Sequence, residues 1–200
     1  SPTLSADGRF LVFESWASNL VPGDTNGFQD VFLRDRVAGQ TIRVSVGAQG
    51  QQAQLPCVGS RISLGGRVVV FQTFSPNMGF GPVSRQQIYV LDLVTGVLEL
   101  VSISSAGAVG DDDSWFGHPS FDGRFVVFAS ESTNFSLIDV SSGHDVYVHD
   151  RQTLTTRLVS VSSAGGKIDG VALRPQISAD GRFVVFESDG SNLVPNDTNA

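Results

Sequence analysis

Four apolar runs of equal length punctuate the chain: Phe10-Leu11-Val12-Phe13, Val68-Val69-Val70-Phe71, Phe125-Val126-Val127-Phe128 and Phe183-Val184-Val185-Phe186. Runs this short, rich in Val and Phe and bounded by turn residues, predict buried strands. Three of them follow Asp-Gly-Arg (Asp7-Gly8-Arg9, Asp122-Gly123-Arg124, Asp180-Gly181-Arg182); the second follows Gly65-Gly66-Arg67. Glycine after aspartate accepts a positive φ without a Cβ clash, which is what a tight hairpin turn requires. Behind the first run lies a polar loop holding Asn19, Pro22, Gly23 and Gly27, then Asp30-Val31-Phe32-Leu33-Arg34-Asp35, which predicts a second strong strand. A short turn, Arg36 to Gln40, leads to Thr41-Ile42-Arg43-Val44-Ser45-Val46, whose polar–apolar alternation predicts a half-buried strand. Gly39 and Gly96 suit a left-handed position in this turn, whereas Leu154 stands there in the third unit and predicts a different turn. No stretch carries helical periodicity.

The pattern is a repeat. Gly8, Gly66, Gly123 and Gly181 are separated by 58, 57 and 58 residues. Asn19, Asn77, Asn134 and Asn192 keep the same spacing, and Asp35, Asp92 and Asp150, like Ser45, Ser102 and Ser160, recur at 57 and 58. Each unit offers three clear strands and one short, weak strand ahead of the Asp-Gly turn. A four-stranded antiparallel unit repeated at this spacing is a propeller blade. Nearly continuous apolar inner strands fit a sheet covered on both faces by neighbouring blades. The predicted class is therefore all-β, a β-propeller segment of about three and a half blades in an incomplete ring. The blade boundaries are 1–55, 56–112, 113–170 and a half blade 171–200. An all-β sandwich accounts for the strands but not for the repeat.

Composition narrows the function. At 40% hydrophobic and 16% charged residues the chain is too apolar to be disordered. The single cysteine, Cys57, supports neither a disulfide framework nor a cysteine zinc site, and reads as a buried small residue. A net charge of −7 argues against nucleic acid as partner. No apolar run approaches the roughly 20 residues of a membrane helix. Lys167 is the one lysine among 13 basic residues.

The candidate cofactor is calcium. Asp24, Asn26 and Asp30 place oxygen-bearing side chains at alternating positions of a loop, where they can converge on a hard cation. Asp139, Ser141 and Asp145 repeat the arrangement in unit three, and Asp197 and Asn199 begin it in unit four. The EF-hand pattern is not met, since Phe28 and Gln29 occupy positions five and six. The alternative is that Asp24 and Asn26 form Asx-turns while Asp30 opens a strand.

Residues repeated in every unit answer a problem common to every blade, so Asp7, Asp122 and Asp180 are assigned to the turn and the recurring asparagines to backbone tethers. A partner contact needs one address on the ring. The irregular features are the long loop 75–85 of unit two and the acidic cluster Asp111, Asp112 and Asp113 with Trp115, and these are the candidate partner-binding residues. Trp16, Trp115 and Phe116 are expected to pack between blades; exposed, they would form an interaction hot spot. His118, His144 and His149 lack metal spacing. No Gly-x-Ser-x-Gly elbow appears, and no catalytic residue is assigned.

Ser-x-Asp-Gly-Arg-Phe-Val-Val-Phe-Glu-Ser, then Asn-Leu-Val-Pro-x-Asp-Thr-Asn, then Asp-Val-Phe-x-Arg-Asp, resembles the WD40-like PD40 repeats of TolB-like β-propellers over essentially the whole chain. The resemblance implies a bacterial propeller of the periplasm, cell envelope or secreted fraction, about six or seven blades in the complete ring, and a non-catalytic platform for protein partners. It also implies the alternative of a propeller accompanying a hydrolase whose catalytic residues lie outside this segment. A carbohydrate-binding propeller is the third reading and needs exposed aromatics.

Overall fold

The computed structural model describes residues 2–81, 83–138 and 143–195. Among these the chain forms fourteen strands and no helix. Blade 1 is β1 (Thr3–Leu4), β2 (Phe10–Ser15), β3 (Asp30–Asp35) and β4 (Gln40–Arg43). Blade 2 is β5 (Cys57–Ile62), β6 (Val68–Thr73), β7 (Gln87–Asp92) and β8 (Leu98–Leu100). Blade 3 is β9 (Ser114–Pro119), β10 (Phe125–Ser130), β11 (Asp145–Asp150) and β12 (Thr155–Leu158), and the half blade is β13 (Ala172–Ile177) with β14 (Val184–Ser188). Each sheet is an antiparallel meander in chain order.

The strand runs of blades 2 and 3 are apolar on both faces because these blades are packed on both sides. Val12, Val31 and Leu33 of blade 1 meet Ile62, Val69, Phe71 and Tyr89 of blade 2. The opposite face of blade 2, with Val68, Val70, Ile88 and Val90, meets Val126, Phe128 and Tyr147 of blade 3. Val127 and Val146 then meet Ala172 and Ile177 of the half blade. Val12, Val70 and Val127, one repeat apart, are each 0% exposed. Full burial of a valine contributes roughly 1.5 kcal/mol or more, so inter-blade packing is the main cohesion of the segment.

The first strands lie side by side along the inner edge, β1 by β5, β5 by β9 and β9 by β13. Their turns are linked by backbone hydrogen bonds from Ala6 N to Leu64 O (2.8 Å), Gly65 N to Phe121 O (2.8 Å) and Phe121 N to Ala179 O (3.0 Å). Within three of the four turns the predicted aspartate does its work; the second has Gly65 there. Ser5 Oγ donates to Asp7 Oδ1 at 2.6 Å, and Arg9 N donates to the same oxygen at 3.0 Å. Ser120–Asp122–Arg124 and Ser178–Asp180–Arg182 repeat it.

Two local expectations are corrected. The first strand of a unit is short only in blade 1; β5, β9 and β13 each have six residues. Each carries a register shift against its neighbour, with Gly59 (φ 65°), Phe116 (φ 57°) and Arg174 (φ 48°) at one repeat position. A bulge breaks the period-two pattern that reveals a strand. The turn at Leu154 does not differ either: its φ of 56° matches Gly39 at 68° and Gly96 at 71°.

Candidate functional site

The loops between second and third strands, and those between blades, gather at one end of the sheet stack. There the first residue of each third strand is buried and polar: Asp30, Gln87 and Asp145 are each 0% exposed. The recurring serine faces it. Ser45 Oγ donates to Asp30 Oδ1 (2.5 Å), Ser102 Oγ to Gln87 Oε1 (2.6 Å) and Ser160 Oγ to Asp145 Oδ1 (2.8 Å). The same serine oxygen accepts the backbone N–H of Val31, Ile88 or Val146. This clamp fixes the start of the third strand to the residues that follow the fourth.

A buried carboxylate needs a counter-charge, and the blades provide it differently. In blade 1, Arg43 Nη1 lies 3.1 Å from Asp24 Oδ1 and 3.5 Å from Asp30 Oδ2, and donates to Gln52 Oε1 at 2.9 Å. In blade 3, Lys167 Nζ lies 2.7 Å from Asp145 Oδ2. Arg43 becomes Leu100 and Leu158 in the next two units, and Gln52 becomes Val109 and Lys167. Blade 2 therefore has no cation at either position, and there the acid is the neutral Gln87, whose Nε2 donates to the carbonyls of Gly110 (3.3 Å) and Asp112 (3.2 Å).

Asp24, Asn26 and Asp30 do come together, but the donor set in blade 1 does not fit a calcium ion. A guanidinium nitrogen sits between the two carboxylates, and Asn26 turns its amide nitrogen to Asp30 Oδ2 (2.9 Å) and Ala53 O (3.1 Å). Asn26 Oδ1 accepts Phe28 N at 3.1 Å, an Asx-turn. Asp139, Ser141, Asp197 and Asn199 lie outside the described residues. Among the described residues no group of three or more His, Cys, Asp or Glu side chains is placed to hold a metal ion. Sequence reasoning missed Arg43 and Lys167. Their signal was the exchange, unit by unit, of a buried acid with a cation against an amide with apolar neighbours.

The acidic cluster is engaged with its own surroundings. Asp111 accepts Thr133 N (2.9 Å) and Thr133 Oγ1 (3.0 Å). Asp112 Oδ1 lies 3.4 Å from Arg85 Nη1, and Asp113 Oδ1 accepts Gln86 N at 2.8 Å. The long loop of unit two packs inward: Met78 is buried, and Phe80 lies 5.8 Å from the Tyr89 ring. Three of the four recurring asparagines tether as expected, Asn77 to Gln52 O, Asn134 to Val109 O and Asn192 to Lys167 O. Trp115 is half-buried, edge-on to His144 at 5.1 Å. The expected burial of Trp16 and Phe116 is corrected: they are 63% and 42% exposed. Trp16 stands just past β2, where the chain leaves the sheet, and Phe116 stands at a bulge that lifts it out of the alternation. Phe74, one repeat after Trp16, is 43% exposed.

Other titratable groups are structural. Burial pushes the Cys57 thiol up to about 12. Burial lowers both His118 and His149, and His149 Nδ1 lies 2.9 Å from Thr156 Oγ1. At the opposite, turn-bearing end a cleft of 570 Å³ opens between blades 2 and 3. Arg151 crosses it to Glu99 (2.6 and 2.8 Å) and donates to Gly123 O of its own blade (2.8 Å), and Arg67 holds Asp92 at 3.0 Å.

Stacked four-stranded meanders joined along their first strands define an incomplete β-propeller. The chain is similar to three solved structures that contain such domains. They are TolB from Acinetobacter baumannii (17% identity, TM-score 0.54, covering 93% of this chain and 36% of that one), the tricorn protease (14%, 0.53, 90% and 14%) and a prolyl endopeptidase (11%, 0.56, 94% and 25%). The chain thus spans about a third or less of each, and at these identities the likeness is one of fold. No family model and no curated protein sequence matches the chain.

Proposed function

We propose that this segment is a non-catalytic propeller scaffold that binds a protein partner through its loop-bearing end, in the bacterial periplasm, envelope or secreted fraction. One observation carries the reading. Trp16 and Phe74 stand at the same repeat position of adjacent blades, immediately past the second strand, and both are exposed. Exposed aromatics on a rigid support are the side chains that dominate binding hot spots. The support is rigid because the polar groups around it are already paired: Asp24 and Asp30 with Arg43, Asp145 with Lys167, Asp111 with Thr133. In this reading Asp111, Asp112, Asp113 and Trp115 shape the loops beside the contact. The test is crosslinking in an envelope extract with the wild type, Trp16→Ala and Phe74→Ala. The expected result is a specific crosslinked protein lost in both variants while the unfolding midpoint is unchanged. Crosslinks indifferent to both substitutions would overturn the assignment.

A second reading follows from two of the similar structures, which are peptidases. There the segment is the propeller of a hydrolase, and the catalytic residues lie on another domain. Peptide hydrolysis by this segment alone would contradict both readings.

A further inference from the structure

One position of the first strands carries a different chemistry in every blade. Thr3, Arg61, His118 and Gln176 stand one repeat apart. The first three pair with Val12, Val70 and Val127 of the second strands. Those valines are uniformly buried, whereas their partners change from hydroxyl to guanidinium to imidazole. Because β1, β5 and β9 lie side by side, the three changing side chains come together on the inner edge. They line a cavity of about 300 Å³, whose other walls are Leu4, Ile62, Leu64 and Pro119.

The polar groups of this cavity have unused capacity. Arg61 is exposed, and among the described residues no carboxylate or other hydrogen-bond acceptor pairs with its guanidinium. The larger cleft at the turn-bearing end differs, since Arg67, Arg124 and Arg151 are each held there by an acid. Thr3 Oγ1 accepts Ile62 N at 3.1 Å, which leaves its hydroxyl hydrogen to donate elsewhere. His118 Nδ1 is buried with no hydrogen-bond partner among the described residues. Burial and the Arg61 charge lower the His118 pKa, so the ring is neutral at pH 7 and the cavity carries one positive charge.

One unpaired positive charge suits a monoanion. A guanidinium fork matches the two oxygens of a carboxylate. A phosphate would bring more negative charge than one guanidinium offsets, in a chain already at −7. The remaining walls are apolar, with Leu4 and Leu64 each 48% exposed. Apolar walls with a few placed polar groups are the make-up of a small-molecule site, and this volume lies at the lower end of such sites.

We propose that the inner edge of blades 1 to 3 binds a small carboxylate bearing a short apolar chain, its carboxylate on Arg61 and Thr3 and its chain against Leu4 and Leu64. His118 lies beside the bound charge and reports it. The walls are preformed, because the turns of the three first strands are tied by the hydrogen bonds from Ala6 N to Leu64 O and from Gly65 N to Phe121 O. The site is separate from the loop-bearing end and does not depend on a protein partner there.

The probe is hexanoate, with hexanol, acetate and inorganic phosphate as controls for charge, chain and anion type. Binding is read by calorimetry and by NMR of the His118 ring, assigned with His118→Gln. Hexanoate is expected to bind in the millimolar range, as its few atoms allow, and to raise the His118 pKa by about 1, as a carboxylate beside an imidazole does. Arg61→Ala should weaken binding about tenfold, as loss of one charge-assisted pair implies, with the unfolding midpoint unchanged. Each control should bind about fivefold more weakly or worse. Hexanoate that leaves the His118 resonances unmoved overturns the proposal. So does equal binding of hexanoate by Arg61→Ala and the wild type, or any control that binds as tightly as hexanoate.

Discussion

Arg43→Leu places in blade 1 the residue that blade 2 carries at the same position, Leu100. The substitution leaves Asp24 and Asp30 facing each other, with side chains 5% and 0% exposed. Removing one member of a buried ion pair costs about 3 kcal/mol or more, since the remaining charge stays desolvated. Replacing the whole charged set by neutral groups is often close to neutral. The triple variant Asp24→Asn, Asp30→Gln, Arg43→Leu reproduces the blade 2 solution and retains the Ser45 hydrogen bond, because glutamine offers Oε1 as Gln87 does to Ser102. The expected order is wild type, then the triple variant within about 1 kcal/mol, then Arg43→Leu about 3 kcal/mol below. Urea unfolding followed separately at Trp16 and Trp115 reads blades 1 and 3, which a repeat protein does not oblige to unfold together. A single variant costing less than about 1 kcal/mol, or a triple variant no better than the single one, would refute the tethered-cation account.

Leu154→Gly should stabilise the third blade by about 0.5–1 kcal/mol, by releasing a left-handed backbone at a side chain already 59% exposed; a lower unfolding midpoint would count against this. Arg9, through its hydrogen bonds, and the N–H groups of Ala38 and Val37 hold Asp35 down at about 2. A depressed carboxylate stabilises fully above its unfolded value near 3.8 and loses that contribution as pH falls toward 2. Arg9→Ala should therefore flatten the loss of thermal stability between those pH values. His149, depressed by burial, binds protons more readily when unfolded, so stability falls as pH drops below about 6.5, and His149→Gln should lessen that fall. The Cys57 thiol, pushed up to about 12, should resist alkylation in the folded chain and react once urea unfolds blade 2.

The sheets could be read from the chain because their signals are local. Val69 and Val126 sit in runs that only a doubly covered strand requires, and Gly8, Gly123 and Gly181 mark turns that need a positive φ. The first strands were harder to see because their bulges put Phe116 and Arg174, rather than glycine, in the left-handed region. Leu154 misled for a related reason. The turn geometry is imposed by the paired strands on either side, through Asp150 facing Thr155, and the residue conforms to it.

The loop aspartates teach a different lesson. Asp24, Asn26 and Asp30 have the composition of a hard-cation site, and spacing alone does not say which cation arrives. Arg43 is 13 residues beyond Asp30, and Lys167 is 22 beyond Asp145; only the pairing of β3 with β4, and of Val161 with Lys167 in an isolated bridge, brings either to its acid. Once the pairing is known, the repeat supplies its own control. Where both cations are absent, in blade 2, the acid is absent too, and Gln87 fills the same space with the same serine bond. What is held constant from blade to blade is the pairing of that buried position, an acid where a cation reaches it and an amide where none does, not the identity of its residues. The feature free to vary without upsetting the clamp is the residue just past the second strand: Trp16, Phe74, Glu131 and Asp189 in turn. A position whose chemistry changes while its support does not is where a ring of equivalent blades acquires a distinguishable face.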